Sequence, residues 1–154
     1  MRQTSVRMLS ATAAEKGYSM HRWDFVSAFL QGDLEKGETV YCSQPPGHDL
    51  GCDEAGEPLV CQVLKPIYGM AQAGRRWQRS IFPWLLQYGF KPSECDPCVF
   101  YLDRTISTSS GPRSDRLIVG CYVDDLFVLA SSTDESSLYS TFTRDLSARW
   151  DVED

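Results

Sequence analysis

No apolar run in the chain approaches the roughly 20 residues needed to cross a bilayer. The N-terminal MRQTSVRMLSATAAEKGYSM also lacks the unbroken apolar core of a signal peptide. Together these absences point to a soluble intracellular protein. The six cysteines (Cys42, Cys52, Cys61, Cys95, Cys98, Cys121) lack the spacing of a disulfide framework, which fits free, partly buried thiols in a reducing compartment. Cys95 and Cys98 have a zinc-like separation, but no second pair matches it, and a structural zinc site needs about four ligands. Internal repeats are absent, and the only low-complexity stretch is a serine-rich loop tip. Acidic residues are missing from one long segment, Pro58 to Ser93, where Lys65, Arg75, Arg76, Arg79 and Lys91 supply five positive charges.

What is present is globular. Hydrophobic residues make up 42% and charged residues 23% of 154 residues, enough for one domain with a real core, or for a piece of a larger one. The net charge of −6 argues against phosphate binding by the whole surface. The acid-free segment still allows a local basic face; an ordinary solvated helix face is the alternative.

Periodicity predicts a mixed α+β order. Thr4–Lys16 reads as a helix stopped by Gly17, Tyr18–Asp24 as a strand, and Val26–Gln31 as a short helix closed by Gly32. Thr39–Ser43 and Leu59–Leu64 are short strands separated by the loop at 47–58. A longer helix spans Gln72–Tyr88, with a kink or break expected at Pro83. Cys98–Leu102 and Leu117–Tyr122 read as strands joined by the polar loop DRTISTSSGPRSD. A last helix begins near Thr133, with Asp134 and Glu135 in its first turn.

The stretch LIVGCYVDDLFVLASS (117–132) is apolar for almost its whole length, yet sets two adjacent carboxylates, Asp124 and Asp125, in its middle. A tight hairpin, Leu117–Val123 rising and Leu126–Ala130 returning, would put both acids at its bend. Asp is common in turns for backbone reasons alone. Here, however, the turn has no Gly, which two-residue hairpins prefer, and a carboxylate pair between apolar strands repels itself unless a cation is close. A hard divalent ion such as Mg²⁺ suits such a pair, held by one or two carboxylates together with substrate phosphates. A third acid should then come from another strand end, and Asp24 in MHRWDFVSAFLQGDL is the best placed.

Six segments carry a resemblance: HRWDFVSAFLQGDL (21–34), VYCSQPPG (40–47), VCQVLKPIYGMAQAGRRW (60–77), YGFKPSECDPCVF (88–100), CYVDDLFVLA (121–130) and LSARWDVED (146–154). In this order, and over nearly the whole chain, the sequence resembles the reverse transcriptase of copia-type long-terminal-repeat retrotransposons. The resemblance implies an α+β polymerase palm, an antiparallel sheet packed on helices with part of the fingers and no thumb. Residues 1–154 would then be a partial reverse transcriptase domain. It implies that Asp24, Asp124 and Asp125 are the catalytic carboxylates, binding two Mg²⁺ ions (Mn²⁺ as a substitute) with the Phe25 carbonyl as a further ligand. Two metals stabilise both the attacking and the leaving oxygen of an in-line phosphoryl displacement.

The same resemblance assigns Phe29, Gly69, Gln72 and Tyr122 to the nucleotide site, with Phe29 as a gate against the ribose 2′ hydroxyl. Core packing is the other reading of Phe29. Lys65, Arg75, Arg76 and Arg79 become candidate contacts to nucleic-acid phosphates. The chain departs from the family pattern at Ala71, where Lys is usual, and at Gly74, where Pro is usual.

The implied partners are an RNA or DNA template with its primer, a deoxynucleoside triphosphate, and the remaining Pol domains (thumb, RNase H, integrase) of a parent polyprotein. No membrane partner is implied; the location is intracellular, in a cytoplasmic virus-like particle or the nucleus. The chain reads as a fragment, since motif A begins near residue 24. A catalytically inactive relic that at most binds nucleic acid is the non-enzymatic alternative, and a phosphatase-type hydrolase using the same acids is the enzymatic one. His21, three residues before Asp24, is open to an acid–base role or to a packing one.

Overall fold

The computed structural model describes residues 1–108 and 111–153. Helix α1 (Gln3–Lys16) leads into strand β1 (Ser19–Phe25) and a 3₁₀ turn at Ala28–Gln31. The short strands β2 (Val40–Cys42) and β3 (Cys61–Val63), helix α2 (Ala73–Tyr88) and strand β4 (Lys91–Pro92) follow. Then come β5 (Val99–Thr108), β6 (Gly111–Tyr122), β7 (Asp125–Ala130), helix α3 (Leu138–Arg149) and β8 (Val152–Glu153). The main sheet has the order β4-β5-β6-β7-β1-β8, with every pairing antiparallel, and β2–β3 form a separate hairpin. The fold is therefore mixed α+β with a mainly antiparallel sheet.

Alternation decides which face of the sheet is buried. Phe25, Phe100, Leu102, Leu117, Val119, Cys121, Leu126, Val128 and Ala130 point to one side. They form a single core with Trp77, Ile81 and Leu85 of α2 and Leu138, Phe142 and Leu146 of α3. The three α2 residues recur at a spacing of four, so one stripe of the helix faces the sheet. Helix α1 lies on the opposite face. It comes so close that a Cβ on Gly120 would stand 2.5 Å from Met1 Sδ and 3.3 Å from Leu9 Cδ1.

Two buried carboxylates fix the helices on the sheet. Asp96 Oδ2 accepts bonds from the Arg2 amide at 2.7 Å and the Ser5 hydroxyl at 2.6 Å, so a loop residue caps the start of α1. Asp115 does the same for α3, accepting from the Leu138 amide at 2.7 Å.

Four expectations are corrected. The stretch 103–115 is not a polar loop: its described residues extend β5 and β6 into one long antiparallel pair, and Ser109–Ser110 lie outside the described residues. Cross-strand pairing explains this, since Asp103 faces Arg116 and accepts from its Nε at 2.5 Å. Helix α3 begins at Leu138 rather than near Thr133, because the Ser137 side chain accepts from the Ser140 amide and so sets the cap there. Asp134 is instead paired with Arg113 at 2.8 Å. Of the kink or break expected at Pro83 the break does not occur: α2 continues through Pro83, which stands on its exposed side while Ile81 and Leu85 anchor the buried one. Finally, the short helix expected from Val26 is a 3₁₀ turn entered through Ser27 in the left-handed region (φ 51°).

Candidate active site

Strand β1 turns His21, Trp23 and Phe25 toward the helices and Arg22 and Asp24 toward the opposite face. In β7 the same alternation buries Leu126 and Val128 and leaves Asp125 on Asp24's side. An acid can therefore stand inside an apolar run, because every other position of that run belongs to a different surface. Asp24 and Asp125 are direct cross-strand partners. The Phe25 amide donates to the Asp124 carbonyl at 2.9 Å, which ties the end of β1 to the turn.

The row continues across the sheet. Tyr122 faces Asp125, and Glu153 faces Asp24 from the other side, so Tyr122, Asp125, Asp24 and Glu153 lie abreast on β6, β7, β1 and β8. Directly opposed residues share a face, with Cβ atoms about 5 Å apart. Tyr122 is half exposed, at 54%.

The bend differs from the expected one. Its two loop residues are Val123 and Asp124, and Asp125 is already the first residue of β7. Val123 has φ +56°. Positive φ at the first loop position only is the pattern of a type II′ turn, in which glycine is usual and a β-branched residue is strained. The turn is braced from below, where Trp77 Nε1 of α2 donates to the Val123 carbonyl at 2.8 Å.

Protein groups already engage two of the acids. The Arg22 side chain donates to Asp125 Oδ1 from Nε and approaches it from Nη2, each at 2.7 Å. Its pKa is raised, first by the hydrogen bond and charge of Asp125; burial opposes this, and Asp24 and Asp124 add to it. The Tyr68 phenol is raised by burial first, then by the charge of and a hydrogen bond to Asp124. The Tyr68 ring lies 4.5 Å from that of Phe29, which is buried in the core at 9% exposure. Phe25 packs edge-on against Trp77 at 4.7 Å.

An all-oxygen donor set of this kind matches a hard divalent ion. The backbone brings Asp24 beside Asp125, with Asp124 in the adjoining turn. Among the described residues, however, no group of three or more His, Cys, Asp or Glu side chains converges into a ready metal cluster. The donors fit the ion in kind and neighbourhood, with Asp125 turned to Arg22.

The segment 65–79 lies alongside. Gly69, at φ +93°, has open space where a Cβ would be, so a ligand could approach its backbone. Gln72 is exposed and precedes α2 as its cap residue, without a side-chain capping bond. The expected basic face is largely paired. Lys65 bonds Asp33 at 2.5 Å, Arg76 is buried against Glu38 at 2.5 Å, and Arg79 pairs with Glu35. Residues 33–38 fold back onto α2 because the preceding 3₁₀ turn packs on that helix. Among the described residues Arg75 is exposed and has no ion-pair partner.

Sequence reasoning missed Arg22, Tyr68 and Glu153. Arg22 was within reach, since it stands two residues before Asp24 and period two puts both on one face.

An acidic row beside a hairpin turn on an antiparallel α+β sheet defines a candidate metal-dependent site. The family model described as reverse transcriptase (RNA-dependent DNA polymerase) matches residues 1–154. The chain is 34% identical over 154 residues to the retrovirus-related Pol polyprotein from transposon RE1 of Arabidopsis thaliana, covering 100% of the chain and 9% of that polyprotein. It is 28% identical over 155 residues to the retrovirus-related Pol polyprotein from transposon TNT 1-94 of Nicotiana tabacum, covering 100% and 10%. With the transposon Ty1-DR4 Gag-Pol polyprotein of Saccharomyces cerevisiae it shares 26% over 117 residues, covering 69% and 7%. No solved structure matches the chain. The chain belongs to the reverse transcriptase family, in its copia-type branch. It spans about a tenth or less of the length of these curated relatives. Among the described residues no helix is long and apolar enough to cross a membrane.

Proposed function

We propose that residues 1–154 are the palm, with part of the fingers, of an RNA-directed DNA polymerase from a retrotransposon Pol polyprotein. The observation that carries this reading is the pairing of Asp24 with Asp125 across β1 and β7, with Asp124 in the turn that joins β6 to β7. Asp24, Asp124 and Asp125 would hold the Mg²⁺ ions, Mn²⁺ serving as a substitute, with the Phe25 carbonyl as a further oxygen ligand. Those ions would supply charge stabilisation for the attacking and leaving oxygens of nucleotidyl transfer.

The chain's own residues do the positioning. Asp24 and Asp125 are fixed by strand register, and the turn bearing Asp124 is braced by Trp77. Tyr122 offers an exposed ring beside the acids, where a primer terminus would stack. Phe29, buried against Tyr68, would bound the sugar of the incoming deoxynucleoside triphosphate, and Gly69 and Gln72 would let it approach α2. Arg75 is open to a template or primer phosphate. Lys65, Arg76 and Arg79 would reach one only on release from Asp33, Glu38 and Glu35.

The partners of this reading are an RNA or DNA template with its primer and the thumb, RNase H and integrase of a parent polyprotein. The place is intracellular, in a virus-like particle or the nucleus, a reading supported by the similarity to transposon Pol and Gag-Pol polyproteins. A second reading is an inactive relic that binds nucleic acid at most. It is favoured by one observation, the unconverged acid side chains among the described residues.

Primer extension on a homopolymer RNA template with Mg²⁺, comparing the native chain with Asp124→Asn, tests the first reading. Incorporation that the substitution abolishes supports it. Equal incorporation by both chains removes the catalytic assignment, and template binding without extension favours the relic.

A further inference from the structure

The acid row is crowded with like charge. Asp24 has Asp125 on one side and Glu153 on the other, and Asp124 stands in the adjoining turn. Carboxylates this close destabilise one another unless a cation intervenes. Among the described residues a single cation forms an ion pair with this row, Arg22, whose Nε and Nη2 both approach Asp125 Oδ1 at 2.7 Å. Alternation along β1 puts Arg22 on the same face as Asp24, so its reach to Asp125 is a diagonal contact across the strand pair.

We infer that Arg22 is a positioning residue that serves as the built-in counter-ion of the acid site and competes with divalent metal for Asp125. The inference rests on the proposed assignment of Asp24, Asp124 and Asp125 as metal ligands and adds to it a residue that sets how readily they load. Three features support it. The contact is made by the guanidinium, a group that stays protonated throughout the working pH range. The charges of Asp24 and Asp124 also raise the Arg22 pKa, so the guanidinium sits within the field of all three acids. The Arg22 side chain is 62% exposed against 21% for Asp125, so it is free to swing into solvent when an ion takes the carboxylate.

The consequence has an unusual sign. Removing a residue from a metal site ordinarily weakens it, whereas removing this one should tighten it. Binding of Mn²⁺, read from the loss of the free-ion electron paramagnetic resonance signal near neutral pH, tests this on the native chain, Arg22→Gln, Arg22→Lys and Asp24→Asn. The expected result is Mn²⁺ binding about threefold to fivefold tighter in Arg22→Gln, the scale of one exposed ion pair. Arg22→Lys, which keeps the charge, should stay near the native affinity, and Asp24→Asn should lose most binding. The metal-free Arg22→Gln chain should melt lower than the native one and gain more from Mn²⁺. Equal or weaker binding by Arg22→Gln, with Asp24→Asn still defective, overturns the competition while leaving the acid site standing. Equal binding by the native chain and Asp24→Asn overturns the acid-site assignment, and this inference with it.

Discussion

Asp24 and Asp125 face one another directly across β1 and β7, on the side of the sheet turned away from the α2–α3 core, with Arg22 bonded to Asp125 at 2.7 Å. The acids are held in place by strand register, which is as rigid as the core beneath Phe25 and Leu126. Metal affinity should therefore appear as fold stability. With Mg²⁺ or Mn²⁺ at about a hundred times its dissociation constant, the expected gain is about 2–3 kcal/mol, read as a rise in melting temperature. Asp24→Asn and Asp124→Asn should each remove most of that response. A melting temperature indifferent to either ion would count against the site.

Val123 occupies a dihedral region that suits glycine. A left-handed backbone costs an L-residue about 1–2 kcal/mol, and glycine loses about 0.5–1 kcal/mol more conformational entropy on folding. Val123 is 49% exposed, so its side chain contributes little packing. Val123→Gly is therefore expected to raise stability in urea by roughly 0.5–1 kcal/mol. Because it also loosens the turn that carries Asp124, primer extension should fall in the same variant. A loss of stability would mean that the turn is not strained.

The elements that positioned this site were legible because one of their faces is buried. Trp23 and Phe25 in β1, Val119 and Cys121 in β6, and Leu126 and Val128 in β7 alternate with residues of the other face, and that alternation fixes strand, register and hairpin together. The outer half of the β5–β6 pair was not legible. Residues such as Asp103, Arg104 and Arg116 are polar on both sides, and their pairing is a tertiary fact. Glu153 was hidden for another reason: a two-residue strand has no period, so its place beside Asp24 follows only from the return of the chain after α3. The paired state of Lys65, Arg76 and Arg79 was equally invisible, because charge counting over 58–93 ignored the acids at 33–38 that fold onto them.

Arg75 and Arg76 are neighbours with opposite roles. Arg75 is exposed, whereas the Arg76 guanidinium is buried against Glu38. Arg76→Ala should destabilise the chain by about 3 kcal/mol or more, since Glu38 would be left half-buried without its partner. Arg75→Ala should change stability by less than about 0.5 kcal/mol. In filter binding to an RNA–DNA hybrid, Arg75→Ala should weaken affinity and lower the salt slope by about one. Unchanged binding and slope for Arg75→Ala would exclude it as a phosphate contact.

Strong acid should weaken the clasp between α1 and the sheet. Burial resists ionisation of Asp96, but bonds from the Arg2 amide, the Ser5 hydroxyl and the Cys98 amide outweigh it and lower its pKa from the ordinary 3.8 to about 2. A carboxylate whose folded pKa lies below its unfolded value stabilises the fold above the unfolded pKa, and that contribution fades as pH falls through the folded one. Between pH 3.8 and about 2 the native chain should lose this term, while above that window it should be constant. Asp96→Asn cannot ionise and leaves the Arg2 amide and Ser5 hydroxyl poorly matched, a cost of about 1–3 kcal/mol at neutral pH. Its stability should in turn be flatter across the acid window. Hydrogen exchange at α1 amides, followed from neutral pH to pH 2, reads the effect locally; equal acid sensitivity in both chains would assign it to carboxylates other than Asp96.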